Sequence, residues 1–177
     1  MPADLRHVVL DEATIQQRVR ELGARITQDF AGEDLRLVTV LKGGLYFLAD
    51  LCRAIELPLT IDFMAVSQYT PGTGGAVRVT KDLSDDVEGA SVILVEDVVD
   101  TGLTVNYIHT LLKARGAKRV EICTMLDKPV RRIATVPIAY CGFEMTDQFL
   151  VGYGLDLDGR HRNLRSVVAL RDEAVLT

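Results

Sequence analysis

The acidic and polar residues between positions 91 and 104 have the types and spacing of a ligand-binding site. An apolar run with strand character is followed directly by Glu96 and Asp97, and then by Asp100. The run ends in a short polar segment, Thr101-Gly102-Leu103-Thr104, that leads into a helical pattern. In open α/β sheets, ligands bind at the edge where such strands end. We therefore expect a buried strand that delivers carboxylates and a polar loop to that edge.

The segment from Asp100 to Thr104 is typical of a phosphate-binding turn. Backbone N–H groups at a helix N-terminus carry partial positive charge and bind phosphate. Gly102 lets the backbone approach a ligand closely, and the hydroxyls of Thr101 and Thr104 add donors. The spacing matches neither the GxxxxGK[ST] loop nor the dinucleotide GxGxxG pattern. We therefore expect amides and hydroxyls, without a helix lysine, to hold the phosphate.

The adjacent acids Glu96 and Asp97 are expected to point to opposite sides of their strand. Beside a phosphate site they suit two tasks, which are accepting hydrogen bonds from sugar hydroxyls and binding Mg²⁺ together with substrate oxygens. The alternative is that both acids face solvent and that Asp100 only caps a helix. Three acids at the end of one buried strand favour the site.

Length, composition and charge restrict the class of protein. A chain of 177 residues that is 48% hydrophobic and 25% charged fits a single globular domain, residues 1–177. A net charge of -5 argues against general binding to nucleic acid or to anionic membranes. No signal-peptide pattern and no apolar run of about 18 residues is present. Cys52, Cys123 and Cys141 are expected to be reduced and mostly buried, in a cytoplasmic protein.

Strand and helix patterns alternate along the chain and predict the scaffold. Apolar residues spaced by three and four predict a helix from Asp11, and Lys42-Gly43-Gly44 separates a strand from the next helix. The predicted strands are 35–41, 59–66, 77–83, 91–95, 120–126, 138–141 and 167–170, and the later helices are 45–55 and 105–115. Residues 1–10 are expected to be irregular or extended, and residues 67–75 to form a mobile loop. This alternation predicts a mainly parallel sheet covered by helices on both faces.

Several segments match a known family in the same order along the chain. They are Leu41-Lys42-Gly43-Gly44, Ser67-Gln68-Tyr69, Val92 to Thr104, Leu126-Asp127-Lys128-Pro129 and Phe149 to Asp156. The third segment resembles the phosphoribosyl-diphosphate signature of the type I phosphoribosyltransferases, and the others resemble its 6-oxopurine branch, the hypoxanthine-guanine phosphoribosyltransferases. The resemblance spans residues 35–170. It implies the α/β type I phosphoribosyltransferase fold, with a mainly parallel central sheet flanked by helices, a mobile loop, and a small hood from the N-terminal and C-terminal segments.

The resemblance also implies substrates, a cofactor and residue roles. A 6-oxopurine, hypoxanthine or guanine, would displace pyrophosphate from 5-phosphoribosyl 1-diphosphate with the help of Mg²⁺, in a homodimer or homotetramer. The implied roles are Glu96 and Asp97 for ribose and Mg²⁺; Asp156 for a second Mg²⁺; Asp100 as general base at purine N7; Asp100, Thr101, Gly102, Leu103 and Thr104 for the 5'-phosphate; Lys42, Gly43 and Arg162 for pyrophosphate; Ser67, Gln68 and Tyr69 in the mobile loop; and Lys128, Phe149 and Leu150 for the purine.

The choice of base depends on the residues that are least distinctive when taken singly. An ammonium at Lys128 suits a 6-oxo acceptor and disfavours a 6-amino donor, but a lysine before proline is also common in solvated loops. Phe149, taken alone, is more typical of a core residue than of a ligand contact. Gln68, Leu103 and Leu157 depart from the family pattern. A xanthine-preferring transferase, and a nucleotide-sensing regulator on the same fold, therefore stay open as alternatives.

Overall fold

The computed structural model describes residues 5–67 and 78–170 of the chain. The helices in these ranges are Glu12–Asp29 (α1), Leu45–Ala54 (α2) and Leu103–Ala114 (α3). The strands there are Leu5–Leu10 (β1), Leu35–Val40 (β2), Leu59–Val66 (β3), Val79–Lys81 (β4), Ser91–Val99 (β5), Arg119–Asp127 (β6), Ile138–Glu144 (β7), Leu150–Val151 (β8) and Val167–Leu170 (β9). A 3-10 turn covers Pro129–Arg131.

The larger sheet is mainly parallel and places its loops for ligand binding. Its strand order is β4-β3-β2-β5-β6-β7, and only the edge strand β4 runs antiparallel to its neighbour within the described residues. The chain moves from β2 to β3 in one direction and from β5 to β6 in the other. The strand order therefore reverses between β2 and β5, which is where ligands bind in open α/β sheets. The loop that follows β2 meets β5 at this point.

Helices cover both faces of this sheet. On one face, α1 and α2 bury a core that includes Ile15, Val19 and Phe47, while α3 packs on the other face through residues such as Ile108. The apolar residues of α1 recur every three or four positions, so they form one stripe that faces the sheet. The carboxylate of Asp11 accepts a hydrogen bond from the Thr14 N–H at 2.8 Å and caps the helix.

Gly23 in the middle of α1 permits a close approach of α1 to α2. A Cβ atom built on Gly23 would overlap the backbone and the Cβ of Ala54, the last residue of α2. Glycine weakens a helix by about 1 kcal/mol relative to alanine. Here that cost is offset by contact between the two helices, so Gly23 serves packing.

A second, smaller sheet is antiparallel, with the order β1-β9-β8. It encloses an apolar cluster of Leu5, Val151, Val168 and Leu170. Residues 5–10, which fall in the segment expected to be irregular or extended, form a strand that pairs with β9 with two irregularities in register. This sheet brings β1, near the start of the described chain, together with β8 and β9, near its end.

The α/β fold class expected from the sequence is confirmed, with corrections at several boundaries. β5 continues to Val99 instead of ending at residue 95, since its later residues pair with β6. The helix α3 begins at Leu103, two positions earlier than expected, and β4 is shorter than predicted. Of the three free thiols only Cys123 is buried, so the expectation that most are buried is wrong. In the described part of the chain, no helix combines the length and apolarity needed to cross a bilayer.

Candidate active site

The turn after β5 is shaped by a glycine in a left-handed conformation. Gly102 has φ = 79° and caps α3 at its N-terminus. A Cβ atom at this position would overlap the carbonyl oxygen of Ala134 and the side chain of Arg132. The turn therefore requires glycine for its backbone conformation and for its packing. At the start of α3, the Leu103 N–H lies 3.5 Å from the Thr101 hydroxyl, and the first N–H groups of a helix have no partner within the helix.

The segment after β6 is hydrogen-bonded to this turn. The N–H groups of Ile133 and Ala134 both donate to the Thr101 carbonyl, at 2.9 and 3.0 Å. Arg132 donates from Nε to the Asp100 carbonyl at 3.0 Å and forms a part-buried ion pair with Asp127. Sequence reasoning missed Arg132, because an arginine after a proline-containing turn has the same pattern whether it is solvated or structural.

Glu96 and Asp97 lie inside β5 and occupy different surroundings, as expected for adjacent strand residues. Glu96 is only 6% exposed, and its Oε1 atom has no hydrogen-bond partner among the described residues. Burial, with a smaller contribution from Asp97, raises the pKa of the Glu96 carboxyl well above its usual value. Burial also raises the pKa of Asp97; Asp156 adds to this, while the Val98 N–H and Arg162 oppose it. Both carboxylates are therefore short of positive partners.

The loop after β2 touches these acids through a glycine. A Cβ atom built on Gly43 would overlap the Asp97 carboxylate. Next to it, the Thr39 hydroxyl donates to the Val95 carbonyl at 2.6 Å and fills the space beside Gly44. Lys42 is exposed, and the peptide bond that precedes it is cis. The loop after β2 is thus in direct contact with β5 at the switch point.

A cavity of about 230 Å³ gathers most of the predicted acidic and purine-binding residues. It is lined by Asp97, Val98, Asp100, Lys128, Arg131, Phe149, Leu150, Leu155 and Asp156. These residues come from β5, the segment after β6, and the segment around β8. Glu96 lies buried outside this lining. Thr101 to Thr104 continue directly from Asp100 at its edge.

Lys128 and Phe149 give the cavity a cationic donor and an aromatic surface. Lys128 is 8% exposed, and its Nζ donates to the Gln148 carbonyl at 2.6 Å, which leaves further ammonium protons for a ligand. Burial lowers the pKa of Lys128, an effect that Asp100 opposes. The Phe149 ring is 42% exposed although it lines the cavity, whereas Leu150 is buried. An exposed ring at a cavity wall is available for stacking.

Arg131 meets the Asp100 carboxylate across the same cavity. Its Nη1 lies 3.1 Å from Asp100 Oδ2, and its Nε lies 3.7 Å from Asp147 Oδ1. The other Asp100 oxygen, Oδ1, is buried without a hydrogen-bond partner among the described residues. Arg131 was not singled out from the sequence, where it is one of two consecutive arginines in a turn. The Asp100 carboxylate is therefore oriented by a cation on Oδ2, while Oδ1 is buried and unpaired.

The proposed metal ligand Asp156 and the proposed pyrophosphate ligand Arg162 bind each other. Arg162 Nη2 lies 2.7 Å from Asp156 Oδ1, and Nη1 donates to the Gly154 carbonyl at 2.5 Å. Asp156 Oδ2 accepts the Gly159 N–H at 2.7 Å. No group of three or more acidic, histidine or cysteine side chains within residues 5–67 and 78–170 is close enough to hold a metal ion. A cation would therefore need oxygens from a ligand as well.

The residues predicted for the mobile loop begin at Ser67. Ser67 lies just after β3, at the same edge of the sheet, and its N–H donates to the Arg78 carbonyl at 2.8 Å. Gln68 and Tyr69 lie outside the described residues. The site as a whole defines a class, the α/β proteins whose ligand site lies at the strand-order reversal of a parallel sheet.

Comparisons with known proteins identify the family within this class. A model of the phosphoribosyl transferase domain matches residues 9–158. The hypoxanthine-guanine phosphoribosyltransferase of Mycobacterium tuberculosis is 45% identical over 177 residues, which cover 96% of this chain and 88% of the relative. The hypoxanthine phosphoribosyltransferase of Salmonella typhimurium is 42% identical over 172 residues, which cover 94% and 97%. A crystal structure of a Staphylococcus aureus hypoxanthine phosphoribosyltransferase matches with a TM-score of 0.93 at 43% identity, covering 96% and 94%.

The chain belongs to the phosphoribosyltransferase family. The resemblance seen in the sequence, including its branch, is confirmed by these relatives.

Proposed function

We propose that this protein transfers the 5-phosphoribosyl group from 5-phosphoribosyl 1-diphosphate to N9 of hypoxanthine or guanine, giving the nucleoside 5'-monophosphate and pyrophosphate. The observation that carries the proposal is the single cavity shared by Asp100, Lys128 and Phe149. It combines a carboxylate, an ammonium and an aromatic surface, which match the N7, the 6-oxo group and the flat ring of a 6-oxopurine. The relatives, which are hypoxanthine-guanine and hypoxanthine phosphoribosyltransferases, support the same reaction.

The proposed roles follow from what each group offers. Lys128 donates to the 6-oxo group, whereas the 6-amino group of adenine is itself a donor and would face the ammonium without accepting from it. Asp100 accepts the purine proton at its carboxylate, which Arg131 orients through Oδ2. Phe149 stacks on the ring and the backbone at Leu150 reads its edge. Asp100, Thr101, Gly102, Leu103 and Thr104 bind the 5'-phosphate through amides and hydroxyls.

The acidic residues fit a magnesium ion that is completed by donor oxygens. Glu96 has an unpartnered buried oxygen, and burial together with Asp156 raises the pKa of Asp97, so a nearby cation would relieve both. Mg²⁺ commonly takes one or two carboxylates plus substrate oxygens. We propose that Glu96 and Asp97 bind the ribose hydroxyls and one Mg²⁺, that Asp156 binds a second Mg²⁺, and that Lys42, Gly43 and Arg162 contact pyrophosphate. When bound, Mg²⁺ would offset the negative charge of the leaving pyrophosphate.

The proposal includes a single domain over residues 1–177, a cytoplasmic location and a homodimer or homotetramer. The free thiols support a reducing compartment. Light scattering on the purified protein would measure the mass in solution, and a monomer at micromolar concentration would contradict the assembly.

The reaction is tested by absorbance change on mixing the protein with the phosphoribosyl donor, Mg²⁺ and one base at a time. We expect turnover with hypoxanthine, guanine or both, and none with adenine. Turnover with xanthine alone would favour a xanthine-preferring transferase. Donor binding without turnover of any base would favour a nucleotide-sensing regulator.

A further inference from the structure

A buried tyrosine outside the cavity links two of the ligand-binding loops. Tyr153 lies between Gly152 and Gly154, and all three residues have positive φ, with 50° for Tyr153. A non-glycine residue in this conformation is uncommon and is held by its surroundings. The Tyr153 side chain is 6% exposed and packs into the core beneath α1 and α2. It therefore points away from the cavity while its neighbours stay beside it.

The hydroxyl of Tyr153 binds a carboxylate on α2. It donates to Asp50 Oδ2 at 2.8 Å, and the same oxygen accepts Gln16 Nε2 of α1 at 2.6 Å. Arg53 donates to the other oxygen, Oδ1, at 2.6 Å. Burial opposes ionisation of Asp50, but the bonds from Tyr153, Gln16 and Arg53 outweigh it and lower its pKa. Asp50 is therefore a charged acceptor that ties Tyr153 to both helices.

The backbone next to Tyr153 touches the loop that leads into α2. A Cβ atom built on Gly154 would overlap the carbonyl oxygen of Gly43. The Gly154 carbonyl also accepts from Arg162, which binds Asp156. The segment 152–156 thus contacts the β2–α2 unit at two places, once at Gly43 and once at Asp50. Two contacts with one rigid unit fix both the distance and the orientation of the segment.

We propose that Tyr153 and Asp50 are positioning residues whose hydrogen bond sets the spacing between the loop 42–44 and the segment 152–156, and thereby the affinity for the phosphoribosyl donor. The kinetic part rests on the proposed function, because Lys42, Gly43, Asp156 and Arg162 are the proposed contacts to pyrophosphate and metal. The purine contacts Lys128 and Phe149 do not lie on either of these two segments. The donor should therefore be affected more than the base.

The chain offers a matched control for removing the hydroxyl. Tyr140 on β7 is also buried in the same core, and its hydroxyl donates to Asp29 Oδ2 on α1 at 2.7 Å. Burial, together with the carboxylate partner, raises the pKa of both tyrosines. Tyr140→Phe removes an equivalent bond from an element that carries none of the proposed donor contacts. Tyr153→Phe and Tyr140→Phe both keep the ring and its packing.

Steady-state kinetics and hydrogen exchange together decide the proposal. Tyr153→Phe should raise the KM for the donor by about fivefold, the equivalent of one ordinary hydrogen bond, and leave the KM for the base within about twofold. Amides of residues 41–46 and 152–157 should exchange faster in Tyr153→Phe, and both variants should lose similar thermal stability. In Tyr140→Phe the donor KM and these amides should match the wild type.

The opposite results would overturn the proposal. If Tyr153→Phe and Tyr140→Phe have the same effect on the donor KM and on hydrogen exchange in these loops, Tyr153 is only a core residue. Faster loop exchange with an unchanged donor KM would break the link to donor binding. If the wild-type protein turns over no 6-oxopurine, the proposed function fails, while the exchange data still decide whether the hydrogen bond sets the loop spacing.

Discussion

The Asp100 carboxylate is paired with Arg131 at one oxygen, and its other oxygen is buried without a hydrogen-bond partner among the described residues. The cation orients the group, while the carboxylate itself is the proposed proton acceptor. Asparagine keeps the shape of aspartate but accepts a proton poorly. General-base catalysis contributes about 100-fold or more to turnover. Asp100→Asn should therefore lower kcat by about 100-fold while the KM for the donor changes by about threefold at most.

Rapid-quench and steady-state measurements with hypoxanthine as the base check this expectation. Arg131→Met is the companion variant, because it removes the orienting cation and keeps the carboxylate. It should lower kcat by less than Asp100→Asn does. Wild-type turnover in Asp100→Asn would remove Asp100 from the role of general base.

Lys128 is the residue proposed to select the base. Its ammonium is buried and donates one hydrogen bond to the Gln148 carbonyl. A hydrogen bond from a charged donor contributes about 1.5–3 kcal/mol, so Lys128→Met should lower kcat/KM for hypoxanthine by about 10-fold to 100-fold. The preference for hypoxanthine over adenine should fall as well, because Lys128→Met removes the donor that would face the 6-amino group of adenine.

The comparison variant for Lys128→Met is Lys42→Met, at the exposed lysine proposed to contact pyrophosphate. It should raise the KM for the donor and keep the ratio of hypoxanthine to adenine activity. If Lys128→Met keeps that ratio as well, the base is selected elsewhere in the cavity.

At the scale of elements, the features that depend on local pattern and on the spacing of charges could be predicted from the sequence. The strand–turn–helix units and the acids of β5 follow from periodicity and from glycine positions, so they were expected before the structure. Arg131 and Arg132 were not expected, because their roles depend on a turn that packs against Thr101, which lies about 30 residues earlier in the chain. Tyr153 was hidden for a similar reason, since its partner Asp50 lies about 100 positions earlier. Contacts of this kind leave no periodic signal.

Gly23 shows how element packing reverses a local propensity. In an unpacked helix, Gly→Ala would stabilise by about 1 kcal/mol. Here a Cβ would overlap Ala54, so the helices α1 and α2 would have to separate. Gly23→Ala should therefore lower the free energy of unfolding by about 1–3 kcal/mol, as measured by urea denaturation.

The neighbouring exposed residue gives the control for this change. Ala24→Gly alters propensity alone and should cost up to about 1 kcal/mol. Stabilisation by Gly23→Ala would show that the two helices are not in contact at this point.

At the scale of the whole molecule, one helix joins the core to the phosphate turn. The N-terminus of α3 is capped by Gly102, while its body packs on the sheet through Val105, Ile108 and Leu112. The same face buries His109, which is 6% exposed and whose Nε2 has no hydrogen-bond partner among the described residues. Protonating His109 would place an unpaired charge in this core, so the global stability should depend on pH through it.

Burial, assisted by Lys113, lowers the pKa of His109 below its usual value of 6.5, while the Val120 backbone and Glu121 oppose this. The folded protein thus binds fewer protons here than the unfolded chain. Stability from His109 is complete above about pH 6.5 and falls as the pH drops through that value, by at most about 1.4 kcal/mol per pH unit. Glu96, whose pKa is raised, contributes the opposite slope, so only a difference between variants isolates His109.

Urea denaturation between pH 5 and 7 should show that His109→Gln loses less stability on acidification than the wild type does. His7→Gln, at an exposed position of β1, should keep the wild-type slope, and an unchanged slope in His109→Gln would contradict the assignment.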